Sequence, residues 1–187
     1  LQAMNDEVYA WIEVPGTVIN YAVVQSATDD LFYINHAVDK SYFSGGSIFS
    51  QRYNTTTFQD SMTVLYGHNS RSQAMFAQLN NFADASFFEQ NQSIYIYTPE
   101  KVYEYQIFAA YPHSSDHLLL CNDFNDPDQF AAYFDSLADG VNCNYRRDLF
   151  PQFGDKVLTL STCYRQNRTQ RFLVQGVLTQ EYTVLKK

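Results

Sequence analysis

The chain has 187 residues, 45% of them hydrophobic and 17% charged, which suffices for one domain with a real core and argues against disorder. A formal net charge of −8 with no dense Lys/Arg run speaks against binding a phosphate backbone, so nucleic acid is not expected as a partner. Fifteen Tyr and fifteen Phe favour β structure, because aromatic rings fit a half-buried pleated surface, and only seven Gly and five Pro exclude a low-complexity stalk.

In chain order, Asn5 followed by Asp6 and Glu7 reads as the cap and acidic first turn of a short helix over Asp6 to Ile12, closed by a turn at Pro15-Gly16. Val18 to Gln25 reads as a strand. Ser47 to Ser50 and Met62 to Tyr66 are further strand candidates, separated by the polar run Asn54 to Thr57. From Ser72 a helical stretch puts Met75, Phe76, Leu79 and Phe82 on one face, a stripe that suits a core. Ser93 to Thr98 and Val102 to Ala110 alternate like a hairpin turned at Pro99-Glu100. The fold class is mainly β with peripheral helices.

Between Tyr111 and Phe150 stands an insertion. Asp126-Pro127 signals a helix start, and Phe130, Phe134 and Leu137 then recur at helical spacing before Gly140. His113, Asp116 and His117 look like a loop, where His-x-x-x-His puts no two ligands on a common face, so no metal or other cofactor is expected. His36 follows a short helix and reads as structural. Three cysteines, Cys121, Cys143 and Cys163, leave at least one unpaired within the chain. A pairing of Cys121 with Cys143 stands open beside two reduced thiols.

Lys156 to Thr162 and Phe172 to Thr179 are rich in β-branched and apolar residues, and the seven polar residues Tyr164 to Gln170 join Cys163 to Arg171. If the strands pair as a hairpin, Cys163 leaves one and Arg171 enters the other at the same end. Alternation then puts Val157, Thr159, Ser161 and Cys163 on one face and Leu158, Leu160 and Thr162 on the other. Upstream, His68 ends the apolar run Leu65-Tyr66-Gly67. A catalytic thiol needs a base or cation to favour the thiolate, and His68 meets that need. The oxyanion formed when a thiolate attacks a carbonyl needs a fixed donor, and Arg171 offers several.

These residues resemble those of a class B sortase, a bacterial cysteine transpeptidase. The likeness rests on Thr159-Leu-Ser-Thr-Cys163 with Arg171 downstream, and on Tyr66-Gly-His-Asn69. Gly46-Ser-Ile-Phe49, Met75-Phe-Ala-Gln-Leu79, Trp11-Ile12 and Pro15-Gly-Thr17 extend it in the family's order from about residue 8 to residue 180. The resemblance implies one catalytic domain over residues 1–187, a closed β-barrel of about eight strands, an N-terminal helix and a helix-bearing insertion before the cysteine strand.

It further implies His68, Cys163 and Arg171 as the catalytic triad. As chain neighbours of those residues, Tyr66, Ser161 and Tyr164 are expected to contact substrate, with packing and ladder pairing the alternative for Tyr66 and Ser161, and Asn69 is expected to orient His68 by a hydrogen bond. In such enzymes the insertion stands beside the substrate groove, where it either helps to recognise the sorting signal or merely covers one side of the barrel. The implied partners are surface proteins with a C-terminal sorting signal, cleaved after Thr, and an amine acceptor from the cell-wall cross-bridge or a pilin lysine. The implied location is the outer face of a Gram-positive membrane, reached through a single-pass N-terminal anchor, by a monomer. No run of roughly 18 apolar residues in this sequence supplies that anchor. A hydrolytic cysteine peptidase and an inactive peptide-binding relative remain as alternatives.

Overall fold

A computed structural model describes residues 2–138, 140 and 143–184. Among these described residues nine strands form in chain order: β1 (Val8–Glu13), β2 (Asn20–Val24), β3 (Ile48–Phe49), β4 (Met62–Tyr66), β5 (Ser93–Tyr97), β6 (Lys101–His113), β7 (Asn144–Tyr145), β8 (Val157–Cys163) and β9 (Arg171–Thr183). They hydrogen-bond in the order β5-β1-β2-β3-β4-β8-β9-β6-β7, and β5 also pairs with β6. Eight strands therefore close a ring, and the two-residue β7 pairs with β6 at Ala109 and Ala110, beyond the stretch that β5 pairs. Closure leaves the eight strands without a free sheet edge.

The barrel fills with side chains from alternate strand positions. Ile12, Leu65, Ile94, Leu158, Leu160, Phe172 and Val174 meet inside. The opposite faces of β4, β8 and β9 bury Met62, Val64, Val157, Leu173 and Val177 in a second cluster. That outer cluster is covered by a helix, α3 (Pro127–Leu137), through Phe130, Phe134 and Leu137. Burial on both faces explains why β8 is buried at six of its seven positions. Asp126 caps α3 as its sequence predicts, its Oδ1 accepting from the amides of Asp128 at 3.0 Å and Gln129 at 2.9 Å. Among the described residues two shorter α-helices, α1 (Ala85–Gln90) and α2 (Leu118–Cys121), also form.

The expected N-terminal helix over Asp6 to Ile12 is corrected to strand β1. Val8, Ala10 and Ile12 are buried at alternate positions, and this period of two outweighs the cap-like Asn5 and its acids. Asn5 instead ties down a turn: its side-chain oxygen accepts from the Glu7 amide, and its Nδ2 donates to Tyr33 Oη and to the Val38 carbonyl, both at 2.7 Å. The helix expected from Ser72 is also shorter, a 3₁₀ helix over Ala77–Ala83 followed by α1. Gln73 (φ 62°) and Met75 (φ 55°) adopt left-handed backbone that no helix continues through. Phe76, Leu79 and Phe82 nonetheless reach the core.

Candidate active site

Backbone pairing brings the site together. In the antiparallel β8–β9 ladder Cys163 stands directly opposite Arg171, and Arg171 Nη1 donates to the sulfur at 3.1 Å. Strand β4 runs parallel to β8 with Tyr66 beside Ser161. Just past the end of β4 the Gly67 amide donates to the Ser161 carbonyl at 3.2 Å, and Thr162 Oγ1 donates back to the Gly67 carbonyl at 2.8 Å. Asn69 Nδ2 donates to the Cys163 carbonyl at 2.9 Å. Both neighbours of His68 are thus pinned to the end of the strand that carries the cysteine. Gly67 has no alternative here, because a Cβ would come within 2.6 Å of Ile48 Cδ1 and 2.7 Å of Phe76 Cγ.

His68, Cys163 and Arg171 line one cavity of about 270 Å³. His68 Nε2 lies 2.5 Å from the Ile34 carbonyl, and since a carbonyl only accepts, Nε2 carries the proton. Asn69 does not orient the imidazole; the Ile34 carbonyl does, and Asn69 serves the cysteine instead.

Tyr66 and Ser161 also line the cavity. Burial pushes the Tyr66 phenol up to about 12, so it faces the cavity as a neutral donor and acceptor. Tyr164 is not brought to the site. It is 7% exposed, packs in the barrel core and stacks on Phe172 at 5.3 Å. The same alternation that turns Cys163 to the cavity turns the next side chain inward, so the expected substrate contact from Tyr164 is corrected to a core role.

The insertion divides in two. Helix α3 covers the barrel, whereas His113, Ser115, Asp116, His117 and Leu118 line the cavity. His117 Nε2 meets Gln51 Oε1 at 2.7 Å, and its Nδ1 is buried without a partner. Among the described residues no group of three or more His, Cys, Asp or Glu side chains is placed to hold a metal ion. Cys121 and Cys143 are free thiols, the first exposed; burial raises the Cys143 thiol to about 11.

Sequence reasoning missed Ile34, Asn80 and the place of His117 on the cavity wall. The first acts through its backbone, and the other two through contacts remote in sequence. Asn80 donates to the Cys163 carbonyl at 3.3 Å. His113 and His117 did stand out in the sequence, but only as a weak metal candidate.

A thiol with a guanidinium against its sulfur and an imidazole on the same cavity is the equipment of thiol acyl transfer. Comparison with known proteins agrees. The sortase domain model matches residues 12–179, and the chain belongs to the sortase family. Within that family its likeness is to class B, whose members are cysteine transpeptidases of the cell wall, and it is an enzyme of that type. Sortase B of Listeria monocytogenes is 29% identical over 180 residues, 95% of this chain and 72% of that protein. The C232S form of Clostridium perfringens sortase B superposes with a TM-score of 0.86 at 29% identity, over 96% of this chain and 84% of that one. A Streptococcus pyogenes class B sortase involved in pilus biogenesis gives 0.82 at 29% identity, over 95% and 94%.

Proposed function

We propose that Cys163 is the nucleophile that cleaves a C-terminal sorting signal after Thr and passes the acyl group to an amine. The observation that carries this reading is the 3.1 Å contact between Arg171 Nη1 and Cys163 Sγ in a cavity that also holds His68. The thiolate attacks the Thr carbonyl carbon, and negative charge moves to the oxygen. Arg171, always charged and rigidly forked, holds that oxygen, a contribution on the order of 3 kcal/mol for one donor. Collapse of the tetrahedral species breaks the C–N bond. His68, as imidazolium, gives its proton to the departing amine and leaves a thioester on Cys163.

With Nε2–H engaged on the Ile34 carbonyl, Nδ1 is the nitrogen left to carry that proton. In the second half an incoming amine attacks the thioester, His68 takes its proton, and sulfur leaves as thiolate. The acceptor is an amine of the cell-wall cross-bridge or a pilin lysine, the second drawn from the role of the Streptococcus pyogenes relative in pilus biogenesis. Tyr66 and Ser161, on the cavity wall, contact the bound signal.

We place the enzyme at the outer face of a Gram-positive membrane, with residues 1–187 as one catalytic domain. Among the described residues no helix is long and apolar enough to cross a membrane. The tether that the family leads one to expect is not among them.

The test is a library of Thr-containing signal peptides, each incubated with and without hydroxylamine as the amine. The expected result is cleavage after Thr, with product diverted from acid to hydroxamate. Hydrolysis unaffected by the amine favours a peptidase, and no cleavage of any peptide favours a binding-only protein.

A further inference from the structure

Strand β4 ends before β8 does. The β4–β8 ladder runs to Tyr66 beside Ser161, and the Gly67 amide satisfies the Ser161 carbonyl. The next carbonyl on that side of β8 belongs to Cys163, and among the described residues no backbone amide donates to it. Two side-chain amides take the place of the missing strand: Asn69 Nδ2 at 2.9 Å and Asn80 Nδ2 at 3.3 Å. Asn80 stands on the 3₁₀ helix between the core residues Leu79 and Phe82 and is itself only 7% exposed. Its Oδ1 accepts from the Arg165 amide at 2.7 Å. One buried amide thus bridges the two peptide groups on either side of Tyr164, where the connection from Cys163 to Arg171 begins. Burying an amide is costly unless its donor and acceptor are both met; besides a long 3.5 Å contact from Nδ2 to the Ala77 carbonyl of its own helix, the partners of Asn80 are Cys163 and Arg165, on either side of Tyr164.

We infer that Asn80 is a positioning residue for the transfer reaction, forming with Asn69 a two-amide clamp that extends the sheet by one rung at Cys163. The inference rests on the reading of Cys163 as nucleophile. The sulfur hangs from the residue whose carbonyl the clamp holds, so rotation of that peptide plane swings Cβ and sulfur relative to Arg171 and His68. A displacement on the order of 1 Å at a nucleophile costs up to about a hundredfold in rate while leaving peptide binding intact.

The test uses the purified chain, a cleaved peptide from the Thr library and hydroxylamine. Asn80→Ala is expected to lower kcat about tenfold with KM within about twofold. Asn80→Asp is the sharper variant, because it keeps the shape and the acceptor for the Arg165 amide but loses the donor. At about pH 8 its carboxylate repels the Cys163 carbonyl, and kcat falls below that of Asn80→Ala. Towards about pH 5 the buried carboxyl takes a proton and again offers an O–H, so its kcat relative to the wild type at the same pH rises.

A ratio that stays flat across that range overturns the clamp, as does wild-type kcat in Asn80→Ala. If Asn80→Ala melts too low to assay, the pH ratio of Asn80→Asp decides alone. Cys163→Ala in the same assay keeps the two readings apart. Transfer surviving in Cys163→Ala sinks the nucleophile, whereas its loss beside unaffected Asn80 variants sinks only the clamp.

Discussion

The imidazole of His68 donates from Nε2 to the carbonyl of Ile34, across 34 positions of sequence and 2.5 Å of space. This bond fixes both the ring's tautomer and its direction, work that a carboxylate does in many catalytic histidines. Leu31 and Ile34 also line the cavity, so the segment that aims the imidazole is itself part of the cavity wall. His68→Gln, which keeps a donor but cannot shuttle a proton, should lower acyl transfer by roughly 10²–10⁴-fold. Steady-state rates with peptide and hydroxylamine check this, and a loss under tenfold would remove His68 from proton transfer.

Arg171→Lys tests the guanidinium in a different way. A single ammonium keeps the charge but not the fork, so kcat should fall by about 10²–10³-fold, with the melting temperature within a few degrees of the wild type. Near-normal turnover would reduce Arg171 to a residue of the strand pair.

The Cys163–Arg171 relationship was legible because it is local: two strand patterns and a polar link of seven residues force their ends together. The capped start of α3 at Asp126-Pro127 was legible for the same reason. The arrival of His68 depends on parallel pairing of β4 with β8, which joins segments nearly a hundred residues apart and leaves no periodic trace; only the family's motif order pointed to it. At the N-terminus two local signals competed. The polar run Asn5-Asp6-Glu7 imitates a helix cap, while burial of Val8, Ala10 and Ile12 on one face is a tertiary fact. Tyr164 was misread because a residue next to Cys163 was credited with the surroundings of that cysteine, although strand alternation points it the other way.

The two halves of the insertion should separate by mutation. Phe134→Ala empties a site packed against Phe108 and Phe130 and should cost about 3–5 kcal/mol of stability, with the order of preferred peptides unchanged at temperatures where it stays folded. His117→Ala should do the reverse, since its ring lines the cavity against Tyr53 and Tyr66. Denaturant melts and library profiling of both variants check this; an unchanged profile in His117→Ala would confine the insertion to covering the barrel.

Alkaline pH should unfold the protein progressively. Burial raises the Cys143 thiol from an ordinary 9.0 to about 11, and the Tyr66 and Tyr133 phenols from 10.0 to about 12. The unfolded chain releases these protons first, so their contribution is fully present below about pH 9 and lost as pH climbs towards about 12. Melting temperatures taken at steps from about pH 7 should hold level to about pH 9 and then fall. A level curve through about pH 11 would contradict the burial of these groups.

The most direct measurement is intact-mass spectrometry of the enzyme mixed with a cleaved signal peptide in the absence of amine. The account predicts a mass gain equal to the peptide's acyl portion, mapped to Cys163, absent in Cys163→Ala and discharged by hydroxylamine. Product formation with no adduct at Cys163, or an adduct on Cys121 that hydroxylamine discharges at the rate of turnover, would contradict it.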